Sequence, residues 1–462
     1  MTAGGDVPAG AWDVVVIGAG PAGLLAAGRA AHLGARVLLL EQMEKPARKL
    51  RITGKGRANL ANVKPLEEQL QEIQPEPRFL RQAFGAFFNQ DLVALLREQG
   101  VETKTERGGR VFPVSDRAGD VAEALVAWAR QQGARILHHA RVERLLVQDG
   151  VCTGLEWVRT PSGRPRRIEA RCAVVATGGL SYPATGSTGD GFRFAAATGH
   201  RIEPLRPSLV AIETRPTLEQ AQGLALRNVQ LTLWIDGRKR AGAFGEAECT
   251  GKGLGGPIVL RLSRKIVDAL AAGRRVEVAL DLKPALDPAR LEARLARELE
   301  ARAGQSCGAL LQSLLPAQLV PVFAGLLGLD PAGPAAQVQG PKRKRLLELL
   351  KEMRFQVTGH GGWEEAIVTA GGVSLKDIDP RTLASRKVEG LYFAGEVLDL
   401  DANTGGYNLQ IAFSTGWLAG ESAARKGAGS GADPPARPAG REPGAGQPSL
   451  AASRLDHSMM RP

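Results

Sequence analysis

The first forty residues of the chain combine apolar runs with a helical pattern. Residues 14–17 (VVVI) and 37–40 (VLLL) are apolar at every position, and the Ala- and Leu-rich stretch between them extends to about His32. Strands without polar positions are typical of parallel sheets that are buried on both faces. The pattern therefore predicts a strand, a helix and a second parallel strand.

Two apolar segments much further along the chain have the same character. "RCAVVATGG" (171–179) predicts a strand ending at Thr177 and Gly178. Residues 391–394 predict another strand, followed by Gly395-Glu396, a glycine-rich turn and a helix that begins near Asn408. Distant parts of the chain are therefore expected to complete one sheet.

The segment between these strands has a different pattern. Residues 228–240 alternate and turn at Asp236-Gly237, which indicates a β-hairpin. From residue 287 to 356 the pattern becomes helical. Its basic block, "PKRKRLLELLKEMRF" (341–355), predicts an amphipathic helix with a solvated basic end and an apolar side formed by Leu346, Leu347, Leu350, Met353 and Phe355.

A glycine motif stands at the junction of the first strand and helix. It comprises Gly18, Gly20, Pro21, Ala22 and Gly23, and Glu41 ends the second strand. In such a unit the first glycine permits a tight turn, the second lets backbone N–H groups approach a pyrophosphate, and the third lets the helix pack on the strand. An acid at the position of Glu41 binds a ribose 2′-hydroxyl and repels a 2′-phosphate, so NAD or the ADP half of FAD is favoured over NADP.

These elements predict an α/β fold. Its core is a Rossmann-type nucleotide domain with a doubly wound, mostly parallel sheet, interrupted by an inserted β-rich unit and a helical unit. The predicted bounds are 1–205 for the first part of the nucleotide domain, 206–285 for the β-rich substrate-side unit, 286–362 for the helical unit, 363–425 for the last part of the nucleotide domain, and 426–462 for a disordered tail rich in Gly, Pro and Ala.

Composition narrows the class of protein. No apolar run reaches the roughly 18 residues that a membrane-spanning helix needs, and the N-terminus lacks the pattern of a signal peptide. The four cysteines are scattered without a CxxC pair, which argues against a metal site or a disulfide framework. We therefore expect a cytoplasmic protein. Its net charge of +12 leaves a nucleic-acid partner open, although an Arg-rich surface accounts for the charge equally well.

The late strand and helix favour FAD over NAD, because an extended ligand requires distant segments of the fold. The Glu396 carboxylate can bond flavin ribityl hydroxyls, and the helix near Asn408 can point its positive end at the flavin. The predicted contacts from this half of the site are Thr177, Gly178, Gly395, Glu396, Gly405, Gly406 and Asn408.

An ordered set of motifs then makes a family resemblance specific. Besides the first glycine motif, it contains "RKLRITGKGRANLAN", "GRVFPVSDRAGDV", "VVATGGLSYPATGSTGDG", "VTAGGVSLKDIDP" and "GLYFAGEVLDLDANTGGYNLQIAFSTG", in order over about 12–425. The chain resembles the BaiN-like family of NAD(P)/FAD-dependent oxidoreductases, also called aminoacetone-oxidase-family FAD-binding enzymes. The resemblance implies that the loop after Glu41 lies along the FAD pyrophosphate, with contacts from Arg48, Gly54, Gly56, Arg57 and Asn59; contact and solvent exposure are equally open for Lys49 and Lys55.

Two segments depart from the family pattern. Ala58 stands where the family commonly has Cys, so no thiol is expected at the flavin, and "GEAECTGKGLGGP" (245–257) lacks the usual aromatic and Thr-rich run. Because the second segment lies in the predicted substrate-side unit, the substrate is expected to differ from that of characterised relatives.

The function predicted is an FAD-dependent oxidoreductase that moves hydride through flavin N5 to or from a small organic substrate. If NAD(P)H is the electron donor, it must reach the flavin through a transient site that leaves no readable motif in the sequence. Tyr182 and Tyr407 are the catalytic candidates, because a phenol can donate a proton or orient a carbonyl; a lid or turn role is equally open for both. The alternatives are a flavoprotein acting on tRNA or binding nucleic acid, and a non-catalytic flavin sensor.

Overall fold

A computed structural model describes residues 10–161 and 163–427. Its strands are β1 (Trp12–Ile17), β2 (Val37–Leu40), β3 (Ala61–Asn62), β4 (Ile73–Gln74), β5 (Thr103–Glu106), β6 (Arg110–Pro113), β7 (Arg135–Leu137), β8 (Ala140–Gln148), β9 (Val151–Arg159), β10 (Arg166–Val175), β11 (Ile202–Ser208), β12 (Ile212–Arg215), β13 (Ala225–Ile235), β14 (Arg238–Cys249), β15 (Gly253–Gly255), β16 (Val276–Asp281), β17 (Met353–His360), β18 (Val368–Val373), β19 (Leu391–Phe393) and β20 (Asp401–Ala402).

The α-helices are α1 (Pro21–His32), α2 (Arg48–Ile52), α3 (Leu66–Leu70), α4 (Arg81–Ala86), α5 (Asn89–Glu98), α6 (Ala118–Gln131), α7 (Asp190–Ala197), α8 (Pro257–Ala271), α9 (Pro288–Ala301), α10 (Cys307–Leu314), α11 (Val320–Leu327), α12 (Gly340–Lys351) and α13 (Tyr407–Gly427). None of the helices described is long and apolar enough to cross a membrane.

The central sheet is parallel in its core. Strands β7, β2, β1 and β10 are neighbours in that order and run parallel, and β19 pairs in parallel with the end of β10. The other half of β10 continues antiparallel into β9 and β8. The apolar runs that predicted parallel strands are buried throughout in β1 from Val14 and in β2. The predicted α/β fold with a mostly parallel sheet is confirmed.

Helix α13 packs directly against α1 through small residues. A Cβ atom on Gly416 would lie 2.2 Å from Ala22 O, and one on Gly420 would lie 2.2 Å from Ala26 O. Only glycine allows this backbone approach. The contact fixes the first residues of the last helix close to the glycine motif at the start of the chain.

The inserted segment contains a closed barrel with the strand order β12-β15-β14-β13-β16-β17. The hairpin predicted at Asp236-Gly237 is confirmed: both residues have positive φ, 51° and 72°, and join β13 to β14 in the manner of a type I′ turn.

The last strand of the barrel lies inside 286–362, the range assigned from sequence to a helical unit. Helix α12 ends at Lys351, and β17 follows with alternating burial, so Met353 and Phe355 face the barrel interior and are not part of the amphipathic helix predicted there. The helices α9 to α12 share one hydrophobic core with the barrel. Met353 and Phe355 are two positions apart, which is the period of a strand. This spacing could have predicted β17 from the sequence.

The end of the nucleotide domain also extends beyond its predicted bound. Helix α13 continues through Lys426 and Gly427, two residues assigned from sequence to the tail. The rest of the predicted disordered tail, 428–462, lies outside the described residues.

The barrel is attached to the nucleotide domain by an ion pair. Arg264 of α8 donates to Asp401 of β20 at 2.5 Å, and the Ser208 hydroxyl donates to the other carboxylate oxygen at 3.0 Å. Asp401 is buried. Because breaking a buried pair leaves an uncompensated charge, this contact constrains the barrel relative to the nucleotide domain.

Candidate functional site

A large cleft lies at the carboxyl ends of β1, β2, β10 and β19. Its empty volume, which includes the part open to solvent, is about 1310 Å³. Residues predicted to bind a dinucleotide and brought to its wall are Gly18, Gly20, Pro21, Ala22, Glu41, Arg48, Thr177, Gly178, Gly395, Glu396 and Asn408. The site is where open α/β sheets bind their ligands.

The glycine motif is shaped by contacts that no side chain could make. Gly18 has φ of 96° and its Cβ would lie 2.6 Å from Ala176 O, while a Cβ on Gly23 would lie 1.8 Å from Gly18 O. A Cβ on Gly20 would meet nothing within 4 Å, and the residue lies on the cleft wall. Gly18 and Gly23 are therefore required by the fold itself, whereas the bare backbone of Gly20 borders space for a ligand.

Glu41 is held in place by main-chain donors. The N–H groups of Ala19 and Met43 each donate at 2.8 Å, to different oxygens of the carboxylate. Burial raises the pKa of Glu41, although these two bonds and the charge of Arg48 oppose the shift. Each oxygen keeps acceptor capacity, and the residue lines the cleft, so it can accept further bonds from ligand hydroxyls.

The Glu396 carboxylate gathers three other segments of the chain. Lys49 Nζ donates to it at 2.6 Å, the Ser181 hydroxyl at 2.8 Å and the Thr369 N–H at 2.8 Å. Burial opposes ionisation of Glu396, but the Lys49 ammonium, with the two other donors, holds the pKa of the carboxyl below its usual value. The cleft wall therefore carries a paired carboxylate and ammonium.

Helix α1 and helix α13 both present their N-terminal residues to the cleft. Gly20, Pro21 and Ala22 contribute from α1, and Asn408 and Leu409 from α13. The unpaired N–H groups and positive ends of two helices favour an anionic or electron-rich ligand here. The Asn408 side chain bonds the backbone of residue 402 in both directions, at 2.9 and 2.8 Å, which leaves its own N–H and the helix end for the ligand.

The loop 52–62 does not place all of its predicted contacts in the cleft. Arg57 lies over the Phe112 ring at 4.3 Å and pairs with Glu106 and, at 2.6 Å, with Asp116. Arg57 holds the pKa of Glu106 below its usual range, and Lys104 with Arg57 does the same for Asp116. The guanidinium is thus committed to a protein network, which differs from the phosphate contact implied by the family resemblance.

Like Arg57, several other predicted residues do not line the cleft. They are Gly23, Gly54, Gly56, Asn59, Gly405, Gly406, Tyr182 and Tyr407. Asn59 has a buried side-chain oxygen with no hydrogen-bond partner. Gly406 packs against Ala61, its Cβ being 2.3 Å from Ala61 O, so the glycine-rich turn before α13 fits tightly on this loop.

Three polar residues of the site were not identified from sequence. Ser181 and Thr369 complete the cluster around Glu396, and Gln42 donates to Gly186 O at 2.7 Å beside the cleft. Ser181 and Thr369 lie within the family motifs "GGLSYP" and "VTAGG", and this position in the motifs could have identified them as site residues. Lys49, for which contact and exposure were equally open, lies in the cleft wall.

A parallel sheet with this glycine motif, an acid at the end of β2 and a late helix end in one cleft is typical of dinucleotide-binding enzymes of the flavoprotein type. The chain belongs to the family described as HI0933-like protein Rossmann domain, whose model matches residues 12–422. The expected family is confirmed. As a member, the protein is an FAD-dependent oxidoreductase, and the expectation of an enzyme is confirmed with it.

Two relatives match almost end to end. The "3-dehydro-bile acid delta(4,6)-reductase" of Clostridium scindens is 30% identical over 89% of this chain and 98% of its own. The "Ribosomal RNA dihydrouridine synthase" of Escherichia coli is 31% identical over 88% of this chain and 96% of its own. Among solved structures, a flavocytochrome c3 fumarate reductase in its open conformation matches with a TM-score of 0.46 and 19% identity, covering 91% of this chain and 79% of that one.

The residues present fit FAD. Gly20 borders open space at a helix N-terminus, where phosphate groups are bound by backbone N–H groups. Thr177 and Gly178 lie on the same wall of the cleft. FAD therefore accounts for the open backbone at Gly20.

Proposed function

We propose that this protein is an FAD-dependent reductase that adds hydride to a carbon–carbon double bond conjugated to a carbonyl, in a small organic substrate. The observation that carries the proposal is the near full-length match to two relatives whose names describe such a bond. A 3-dehydro steroid acid has a ketone next to its 4,6 double bonds, and dihydrouridine is uridine whose ring double bond beside a carbonyl has been saturated. The two substrates differ widely, but the bond reduced is of one kind.

Reduced FAD supplies the hydride when bound; the protein must hold the substrate and provide a proton to the carbon beside the carbonyl. Tyr407 suits the second role. It is buried at the first residue of α13, and burial, followed by the negative charge of Glu72, raises the pKa of its phenol to about 12. The phenol is therefore protonated at neutral pH. Arg261 of α8, whose charge also acts on the phenol, lies 3.9 Å from Glu72 Oε2.

Tyr182 is the weaker of the two candidates for the proton donor. It precedes the segment Thr185–Gly186, and Gly186 O accepts from Gln42, the residue after Glu41, which we propose binds the ribose. The segment following Tyr182 thus lies beside the adenosine half of the proposed cofactor site. A proton donor is needed at the flavin half, where hydride is transferred.

The electron donor in the proposal is NADH or NADPH, bound transiently. The experiment that tests the proposal separates the two half-reactions under anaerobic conditions. Purified enzyme is first reduced with NADH or NADPH while the flavin absorbance is followed, and the reduced enzyme is then mixed with enones, saturated ketones or imines. Reoxidation by enones, with a saturated product, is the expected result. Reoxidation by saturated ketones or imines alone would contradict the proposal.

Tyr407→Phe tests the proton donor within the same assay. We expect reoxidation by the enone to slow by about 10²- to 10⁴-fold, the usual contribution of general acid catalysis. Reduction by the nicotinamide should keep its wild-type rate, because that step needs no proton from the phenol. Tyr182→Phe is the matched control and should leave both half-reactions within a few-fold of wild type; an equal loss in both variants would exclude the assignment to Tyr407.

A second candidate substrate is a uridine in RNA. It is favoured by the relative named for ribosomal RNA and by the net charge of +12. Incubation of reduced enzyme with ribosomal RNA lacking dihydrouridine, followed by nucleoside analysis, distinguishes the two substrate classes. Phosphate contacts would make RNA reduction fall steeply with salt, whereas reduction of a neutral enone should change little.

A further inference from the structure

The cleft wall contains one ion pair that the proposed reaction does not use. Lys49 Nζ donates to Glu396 Oε2 and to Ser181 Oγ, both at 2.6 Å, and the Ser181 hydroxyl in turn donates to Glu396 Oε1 at 2.8 Å. The side chains of Lys49 and Glu396 are only 22% and 19% exposed. The ammonium is therefore held by two acceptors and has little freedom to move to solvent.

The backbone around the pair is equally constrained. A Cβ on Gly179 would lie 2.2 Å from Thr369 Oγ1 and 2.9 Å from Glu396 Oε1, and the Thr369 hydroxyl accepts from the N–H of Leu180 at 2.8 Å. Glu396 follows Gly395, whose Cβ would lie 2.8 Å from Ala22 Cβ at the start of α1. The carboxylate is thus fixed at the cleft by packing on both sides, and it is ionised because Lys49 faces it.

A fixed carboxylate in this position has a consequence for flavin chemistry. Reduction adds negative charge to the flavin, and a nearby uncompensated negative charge in a poorly solvated site would oppose it. An ammonium at 2.6 Å cancels most of the field of the carboxylate. The net charge of the pair therefore bears on how easily a bound flavin is reduced.

We propose that Lys49 is a positioning residue that neutralises Glu396, so that Glu396 can bind the cofactor through its oxygens without its charge opposing FAD reduction. Ser181 keeps the two groups in register by bonding both. This role concerns the cofactor and goes beyond the proposed substrate reaction, on which it does not depend.

The test is a double-mutant cycle on the charges of Lys49 and Glu396. Its readout is the reduction potential of bound FAD, measured anaerobically by equilibration with a redox dye in the absence of substrate. In Lys49→Met, the ratio of reduced to oxidised FAD at a fixed potential should fall at least tenfold, which for a two-electron couple is about 30 mV. Glu396→Gln, which leaves the ammonium unbalanced, should shift the ratio in the opposite direction. The double variant should return close to wild type, because the pair is again neutral.

Lys351 provides a matched control. It pairs with Asp281 at 2.6 Å, with exposures of 21% and 19%, but lies in the inserted segment and does not line the cleft. Lys351→Met should lower the melting temperature and leave the potential unchanged. Equal shifts in Lys49→Met and Lys351→Met, or an unchanged potential in Lys49→Met with FAD bound, would overturn the proposal.

If Lys49→Met retains too little FAD for the redox titration, the dissociation constant of FAD is measured for the same set of variants instead. It should increase at least tenfold in Lys49→Met but change little when Lys49→Met is added to Glu396→Gln, because no carboxylate charge is left to neutralise. An equal loss in the Glu396→Gln background would mean that the ammonium holds FAD directly, and would also overturn the proposal. Since no substrate is present, failure of the reductase assignment does not affect either measurement.

Discussion

At the scale of single residues, the site depends on which partner each charged side chain finds. Lys49 is neutralised by a carboxylate on the cleft wall, while Arg57, only eight positions later, is held by Glu106 and Asp116 outside it. Lys49 precedes the glycine-rich loop 52–62, and Arg57 lies within it. We therefore propose that Lys49 influences the cofactor, whereas Arg57 holds the loop.

Arg57→Ala is the prediction at this scale. The variant should melt at a lower temperature, because Glu106 and Asp116 are left without their shared partner and the stacking on Phe112 is lost. The dissociation constant of FAD per folded molecule should change less than threefold. Thermal melting of the apoprotein and FAD titration measure the two effects separately; a large loss of FAD affinity at unchanged stability would restore the phosphate contact first expected for Arg57.

At the scale of elements, the glycines of the motif serve two different purposes: some permit close packing within the protein, and one leaves space for a ligand. Gly23 is required because α1 lies on the turn at Gly18, whereas no atom of residues 10–161 or 163–427 beyond its neighbours would contact a Cβ on Gly20. Gly56 also faces open space, but its φ of 83° penalises any side chain whether or not FAD is bound. Gly20, in extended backbone with φ of −77°, is therefore the position at which a side chain tests the cofactor site alone.

We expect Gly20→Val to fold with a melting temperature close to wild type and to lose FAD, because the added side chain enters the space proposed for the pyrophosphate. Gly23→Ala should instead destabilise the apoprotein, since its Cβ would overlap Gly18 O. Apoprotein melting and FAD titration on both variants provide the comparison. Normal FAD binding by Gly20→Val would show that the pyrophosphate does not lie at this helix end.

At the scale of the whole molecule, the inserted barrel and helices separate the nucleotide domain into two parts that must meet again. His200 and Ser385 join the two parts: His200 Nε2 lies 2.6 Å from Ser385 Oγ, and Nδ1 lies 3.2 Å from Ala195 O. Ser385 Oγ already accepts from the N–H groups of Lys387 and Val388. Its hydroxyl proton is therefore directed to Nε2, which requires a neutral imidazole.

This arrangement predicts acid lability. Burial lowers the pKa of His200 in the folded protein, so the unfolded chain takes up a proton first as the pH falls through about 6.5, the ordinary value for histidine. Stability is thus complete above that pH and decreases below it, by at most about 1.4 kcal/mol per pH unit for this one proton. Denaturant unfolding between pH 5 and 8 measures the slope. His200→Gln should reduce it, and an identical slope in the variant would assign the effect to other groups.

The sequence by itself determined the parts of this protein that local patterns encode. The unbroken apolar runs of β1 and β2, the glycine motif and Glu41 fix a strand–helix–strand unit, because each feature acts within a few residues of its neighbours. The hairpin at Asp236-Gly237 is equally local, since those residue types adopt positive φ readily.

Tertiary structure decided what depends on distant partners. Lys49 meets Glu396 across 347 positions, and β17 becomes a barrel strand because β12 and β16 lie on either side of it. Arg57 pairs with Glu106 and Asp116 outside the cleft. The positions of these acids in the sequence do not predict the pairing. A side chain's charge is readable from sequence, but its partner depends on where the folded backbone brings opposite charges together, and that is settled only when the separated segments pack.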